Sequence, residues 1–185
     1  MTAEHDFGYG YFDDPGGLGY RGYRRDGNGD GGYLPWTAAR DFCVGNQVTS
    51  AVDVGCAKGF LVAELLDAGV DAVGYDVSAY ALSFAAGLPC YQADIRKGVP
   101  HAAEAIFALG VLLYLDEAEL PGTLAGLRRR ATRFLLFSSY YEGDEQDVPD
   151  PLRRITRPYA WWRGTLADSG FSFSHRGECF DIYTA

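Results

Sequence analysis

Between Ala51 and Phe60 the chain reads Ala-Val-Asp-Val-Gly-Cys-Ala-Lys-Gly-Phe. An apolar strand runs into a turn carrying Gly55 and Gly59, and the turn opens a helix. Glycine lets backbone approach a ligand closely, and a helix N-terminus aims unpaired N–H groups at it. A second strand ends at Val73-Gly74-Tyr75-Asp76, seventeen residues beyond Gly59. A carboxylate at such a strand end can accept both hydroxyls of a ribose. A third segment, Gln92-Ala93-Asp94-Ile95, again closes on an acid. These residues suit a nucleoside-bearing cofactor seated at the top of a parallel sheet.

The spacing narrows the choice. A dinucleotide fingerprint counted from Gly55 needs glycine at positions 57 and 60, which hold Ala57 and Phe60. The pattern Asp53-x-Gly55-x-x-x-Gly59 instead resembles the first motif of the class I S-adenosylmethionine-dependent methyltransferases. The resemblance covers roughly residues 48 to 184. It implies that Asp53, Gly55, Cys56, Ala57 and Gly59 form the cofactor loop. Asp76 is then the ribose acid, Val77 the apolar residue against the adenine, and Asp94 faces the exocyclic amine beside Ile95. Leu109, closing the fourth strand, joins the same pocket. Plainer roles compete: helix packing for Gly59, a cap for Asp76 (although Ser78 is the better one), a turn for Asp94. Cys56 is expected to fill the turn rather than act as a nucleophile, and Lys58 to point to solvent.

Composition sets the bounds. A chain of 185 residues with 48% hydrophobic content suits one methyltransferase-sized domain over 1–185. No apolar run reaches the length of a membrane span, and Glu4 and Asp6 do not suit a secretory leader. Cys43, Cys56, Cys90 and Cys179 are scattered, without a C-x-x-C pair, so no metal site is expected and a reduced, cytoplasmic setting is the simplest reading. A net charge of -9 argues against nucleic acid as a partner. The expected partner is a small-molecule substrate, with no membrane and with a homodimer left open.

Residues 1–33 are crowded with Gly and Tyr, in the runs 9–11, 16–20, 22–23 and 29–33. Each glycine costs about 1 kcal/mol in a helix, so a long helix is excluded. An aromatic-rich flap over the cofactor and a disordered tail compete, and the aromatic content favours the flap. Some small bacterial methyltransferases look similar here, which implies contacts of Tyr11, Tyr20 and Tyr23 with the methionine end of the cofactor.

Alternating strands and helices must position these residues. Helices are expected over 35–44, 60–68, 78–86, 116–130 and 159–168. Strands are expected over 50–54, 72–75, 90–93, 105–109 and 134–138, with a closing hairpin at 171–174 and 180–183. Asp116 and Glu119 read as a capping box. The alternation predicts an α/β fold: a doubly wound, mostly parallel seven-stranded sheet, Rossmann-like, with a C-terminal antiparallel hairpin.

Ligands of such a sheet lie beyond the C-terminal strand ends. Tyr114, Tyr140, Tyr141 and His175 are therefore the catalytic candidates, with His175 as a base for a hydroxyl acceptor. His101 precedes the fourth strand and is read as structural. Many family members carry an acid and a Glu-His pair where this chain has Gly110, Leu113 and Tyr114, so no catalytic His transfers from the resemblance. The absence of an Asn-Pro-Pro-Tyr-type motif counts against methylating amino groups of nucleobases or glutamine. Arg153, Arg154 and Arg157 suit an anionic acceptor, because guanidinium pairs bidentately with carboxylate or phosphate. Trp161 or Trp162 suits the wall of an aromatic pocket. The favoured function is methyl transfer to a small molecule, on oxygen, in natural-product biosynthesis. The alternatives are a protein or RNA methyltransferase and a non-methylating binder of S-adenosylmethionine.

Overall fold

The computed structural model describes residues 4–17, 19–26, 35–143 and 150–185. The 29–33 run of the expected flap lies outside them.

Strands β1 (Ser50–Val54), β2 (Asp71–Asp76), β3 (Cys90–Gln92), β4 (Ala103–Leu109), β5 (Ala131–Ser138), β6 (Ser172–Arg176) and β7 (Asp181–Thr184) form one sheet in the order β3-β2-β1-β4-β5-β7-β6. The first five pair in parallel, and β7 lies antiparallel to both β5 and β6. This is the doubly wound sheet with a closing hairpin that the alternation predicts. Register sorts the core into two layers. Val52, Ile106, Leu135 and Tyr183 stand side by side on one face. Phe107, Leu136 and Ile182 do so on the other, with Ala51. Buried on both faces, these strands read as continuous apolar runs.

The helices are α1 (Tyr9–Phe12), α2 (Pro35–Gly45), α3 (Phe60–Asp67), α4 (Ala79–Leu82), α5 (Leu120–Arg128) and α6 (Tyr159–Asp168). Ser78 caps α4 by accepting from Ala81 N at 2.9 Å. The helix expected to run on to residue 86 stops after one turn at Leu82, and the chain continues as loose turns to Gly87, at φ +87°. The capping box forms, with Asp116 N donating to Glu119 Oε2 at 2.9 Å. It caps a 3-10 turn at Glu117–Glu119, and Pro121 then sits in the first turn of a fresh helix, where its missing N–H costs nothing.

The order β2-β1-β4 reverses the direction of winding between β1 and β4, which opens a crevice beyond their C-terminal ends. Two further segments converge there. Described residues of the head pack on α4 and the loop after β1. The insert after β5 returns to the loop after β4, where Leu113 O accepts from Arg154 N at 2.9 Å and Ile155 N at 3.0 Å.

Candidate cofactor and acceptor cleft

The loop after β1 is bent to fit over β2. Gly55 N and Cys56 N donate to Tyr75 O at 2.7 and 3.1 Å, with Gly55 at φ +78°. A Cβ on Gly55 would stand 2.5 Å from Val111 Cγ2, so only glycine lets the loops after β1 and β4 meet. Asp76 pins the loop from the other side: its Oδ2 accepts from Ala57 N at 2.8 Å and its Oδ1 from Ser78 N at 2.7 Å. A carboxylate has about four lone-pair sites, so these two bonds leave Asp76 with capacity for ligand hydroxyls.

A cavity of about 120 Å³ lies over this loop. Its floor is Gly55 and Ala57; one end is Asp76, Val77, Ala93, Asp94, Ile95 and Arg96. The other end is Leu109, Gly110, Val111, Tyr114 and Leu115, and the roof is Phe7, Tyr11, Phe12, Tyr20 and Tyr23. The head folds back to make that roof, with Tyr20 N donating to Tyr11 O at 2.9 Å and Tyr23 N to Phe12 O at 2.9 Å. A Cβ on Gly19 would lie 2.1 Å from Tyr11 O, which is why the hairpin-like return needs glycine there.

Most sequence-expected cofactor residues therefore meet. Gly55, Ala57, Asp76, Val77, Asp94, Ile95, Leu109, Tyr11, Tyr20 and Tyr23 all line the cavity. Asp53, Cys56 and Gly59 stand behind the lining: Asp53 and Cys56 are buried, and Gly59, at φ +76°, packs against Ala85, Leu88 and Cys90. Burial pushes the Asp53 carboxyl up to about 8, and the neighbouring Asp76 adds to the rise. Burial also raises Asp76 against its backbone donors. Asp94 is held by Arg96 through two contacts of 2.8 Å and accepts from Arg96 N at 3.0 Å, which lowers its carboxyl.

Lys58 corrects the sequence reading. It is buried rather than turned to solvent, with Nζ 2.7 Å from both oxygens of Asp13 and 3.0 Å from Tyr23 O. The head supplies a carboxylate and a carbonyl just where the loop offers an ammonium. Phe60, at the start of α3, stacks on Tyr23 with centroids 5.4 Å apart.

The catalytic candidates separate. Tyr114 lines the cavity, beside Tyr11. The other three do not line it. His175 is on edge strand β6, exposed, with Nδ1 3.0 Å from Ser174 Oγ. Four strand spacings of about 4.8 Å each part β6 from β1. A residue near a strand's C-terminal end can thus be far along the sheet from the crevice. Tyr141 is buried against the hairpin, its hydroxyl donating to Asp181 Oδ2 at 3.5 Å. Tyr140 is 40% exposed, under the guanidinium of Arg153 at 4.7 Å. Two of the three arginines expected to select an anion are occupied at the surface, Arg154 with Asp116 at 3.0 Å and Arg157 with Glu117 at 2.8 Å, and Arg153 is half-buried outside the cavity lining. Trp161 lies against Trp162 and beneath Arg157, outside the cavity lining. His101 meets the phenol of Tyr75, as a structural residue would.

Asp150 is a side chain beside the cavity that the sequence reading did not single out. It lies in the insert between Pro149 and Pro151, with no periodicity or motif to single it out. Its Oδ2 accepts from Tyr114 Oη at 2.8 Å and Tyr11 Oη at 3.0 Å, and its Oδ1 from Leu152 N at 2.9 Å. The roof residues Phe7 and Phe12 carried only the general aromatic signal of the head. Among the described residues no cluster of potential metal ligands occurs and no helix is long and apolar enough to cross a membrane.

No family model matches the chain, and no curated protein matches it. Solved structures do. The magnesium protoporphyrin IX methyltransferase of Synechocystis PCC 6803, with bound S-adenosylhomocysteine, superposes at TM-score 0.67 with 20% identity, over 81% of this chain and 80% of that one. DesVI of Streptomyces venezuelae gives 0.66 at 12% identity, over 80% and 89%. The sugar N-methyltransferase KedS8 of Streptoalloteichus sp ATCC 53650 gives 0.64 at 16% identity, over 81% and 85%. The fold is that of the class I methyltransferases.

Proposed function

We propose that this chain is an S-adenosylmethionine-dependent methyltransferase acting on a small-molecule acceptor. One observation carries the reading: Asp76 at the end of β2 and the Gly55 turn at the end of β1 face one cavity at the point where the strand order reverses. The residues fit an adenosyl group. Asp76 keeps acceptor capacity for ribose hydroxyls, Val77 and Ile95 offer apolar contact to a base, and Asp94 stands at the base's edge. The loop that a Cβ at Gly55 would jam leaves backbone free to approach the remaining chain of the ligand. The fold shared with a methyltransferase crystallised with S-adenosylhomocysteine supports the same choice.

Bound there, the cofactor supplies a methyl group already activated on a sulfonium. The protein's part is to hold the acceptor in line and keep water out. The aromatic roof serves the second need: Tyr11 and Phe12 are buried, and Tyr20 and Tyr23 close the remaining wall. In this reading the described residues of the head serve as a flap over the cofactor. The net charge of -9 favours a metabolite over RNA as acceptor. The natural-product setting rests on the sequence reading. So does the oxygen acceptor; a hydroxyl would want a base, and His175 does not line the cleft, whereas a carboxylate acceptor would need none.

The test is calorimetry on ligand-stripped protein with S-adenosylmethionine and S-adenosylhomocysteine. Binding of either, weakened at least about tenfold by Asp76→Ala, is expected, because that change removes charge-assisted acceptors. Absence of heat with both compounds overturns the proposal.

A further inference from the structure

Tyr11, Tyr114 and Asp150 come from the head, the loop after β4 and the insert after β5, and close a triangle of oxygens. The edges are 2.5 Å between the two phenols, 2.8 Å from Tyr114 to Asp150 and 3.0 Å from Tyr11 to Asp150. An ionised carboxylate only accepts, and each phenol carries one proton. The two phenols, which line the cavity, therefore stand between it and a carboxylate. Phe7 completes the wall, edge-to-face with Tyr11 and with Tyr114 at 5.2 Å each. Such a wall of electron-rich rings backed by a carboxylate favours a cation or an N–H donor. It disfavours an anion, which would meet a carboxylate. Burial raises both phenols, so they stay protonated and do not act as bases.

We infer that the acceptor subsite takes an amine, recognised as an N–H donor by Tyr11 and Tyr114, with Asp150 behind them as the positioning residue; this rests on the methyl-transfer reading. A hydroxyl acceptor would need a base, and an amine carries its own lone pair once it has lost a proton to solvent. The neutral nitrogen forms the new N–C bond as the carbon–sulfur bond of the sulfonium breaks, its electron pair staying on sulfur. The methylated ammonium then returns one proton to solvent.

The experiment measures acceptor binding by calorimetry on protein saturated with S-adenosylhomocysteine. The probes are matched pairs: benzylamine and benzyl alcohol, cyclohexylamine and cyclohexanol, and benzoate. The amine of each pair is expected to bind about tenfold tighter than its alcohol, and benzoate weakest. Asp150→Asn and, separately, Tyr114→Phe are expected to bring the amine-to-alcohol ratio near one. Equal binding of amines and alcohols, failure of every amine to bind, or an unchanged ratio in both variants overturns the inference. So does a large loss of S-adenosylhomocysteine affinity in both variants, which would assign the triangle to the cofactor's own ammonium. If the unaltered protein binds no S-adenosylhomocysteine, the failure is of the methyltransferase reading itself, and the inference falls with it.

Discussion

The ammonium of Lys58, in the loop after β1, is clasped by the carboxylate of Asp13 in the head, at 2.7 Å to each oxygen. The two side chains are 7% and 20% exposed, so this is a largely desolvated pair joining the roof of the cleft to its floor. Tyr80 donates a further hydrogen bond to Asp13 at 2.7 Å. Burial works against the Asp13 charge, but the bonds from Lys58 and Tyr80 outweigh it and lower the carboxyl.

Removing one partner of such a pair strands the other, at a cost of about 3 kcal/mol. Asp13→Ala is expected to loosen the head rather than unfold the sheet, because the pair ties the head to the loop after β1 and takes no part in strand pairing. Limited trypsin digestion reads this directly: cleavage at Arg21, Arg24 and Arg25 should quicken at least about tenfold, with a melting temperature only modestly lower. The double variant Asp13→Ala with Lys58→Met should recover part of the protection, since no buried charge is left alone.

Gly55 and Val111 give a second test. Gly55→Ala sets a Cβ 2.5 Å from Val111 Cγ2 at a φ of +78°. A loss of roughly 1–3 kcal/mol is expected from backbone strain and overpacking, together with weakened cofactor binding. Adding Val111→Ala should relieve the overlap but not the dihedral strain, so denaturant melts should show partial rescue only.

Asp53 should make stability depend on pH. Its carboxyl, ordinarily at 3.8, is raised by burial to about 8 in the folded protein. Between these values the folded state holds the proton more firmly than the unfolded one. Stability from this group is therefore full below the lower value and is lost as pH rises through the upper one, by roughly 1.4 kcal/mol per pH unit inside the window. Asp53→Asn removes that slope. The difference between wild-type and variant stabilities, from urea melts at pH 5, 6, 7 and 8, should grow steadily in favour of the variant; a flat difference would count against it.

His175 and Arg154 should be dispensable. His175 is exposed on an edge strand, and Arg154 is a surface pair with Asp116 at side-chain exposures of 41% and 42%. Such pairs contribute about 0–1 kcal/mol. His175→Ala and Arg154→Glu are each expected to keep cofactor affinity and turnover within about twofold.

The legibility of this protein follows the range of the physics involved. Period, turn chemistry and caps act over a few residues, so Gly55, Gly59, Asp76, Ser78 and the Asp116–Glu119 box could be read from the chain. So could the strand succession, because buried parallel strands are apolar throughout and crossovers have one hand. What sits across the sheet could not. His175 and Tyr141 share with Tyr114 a place after or near a strand end, and only the order β1-β4-β5-β7-β6 sets the first two apart from the crevice. Lys58 looked like a solvent residue because its partner, Asp13, lies 45 positions away in the chain. Asp150 has no local signature, and it meets Tyr11 and Tyr114 only because the insert after β5 is tied to the carbonyl of Leu113. The cofactor loop was thus written in the order of residues, since its constraints are local backbone conformations that few residues tolerate. Which side chains roof the cleft and which stand behind its wall was settled by the folded chain, because those contacts depend on where distant segments are brought together and desolvated.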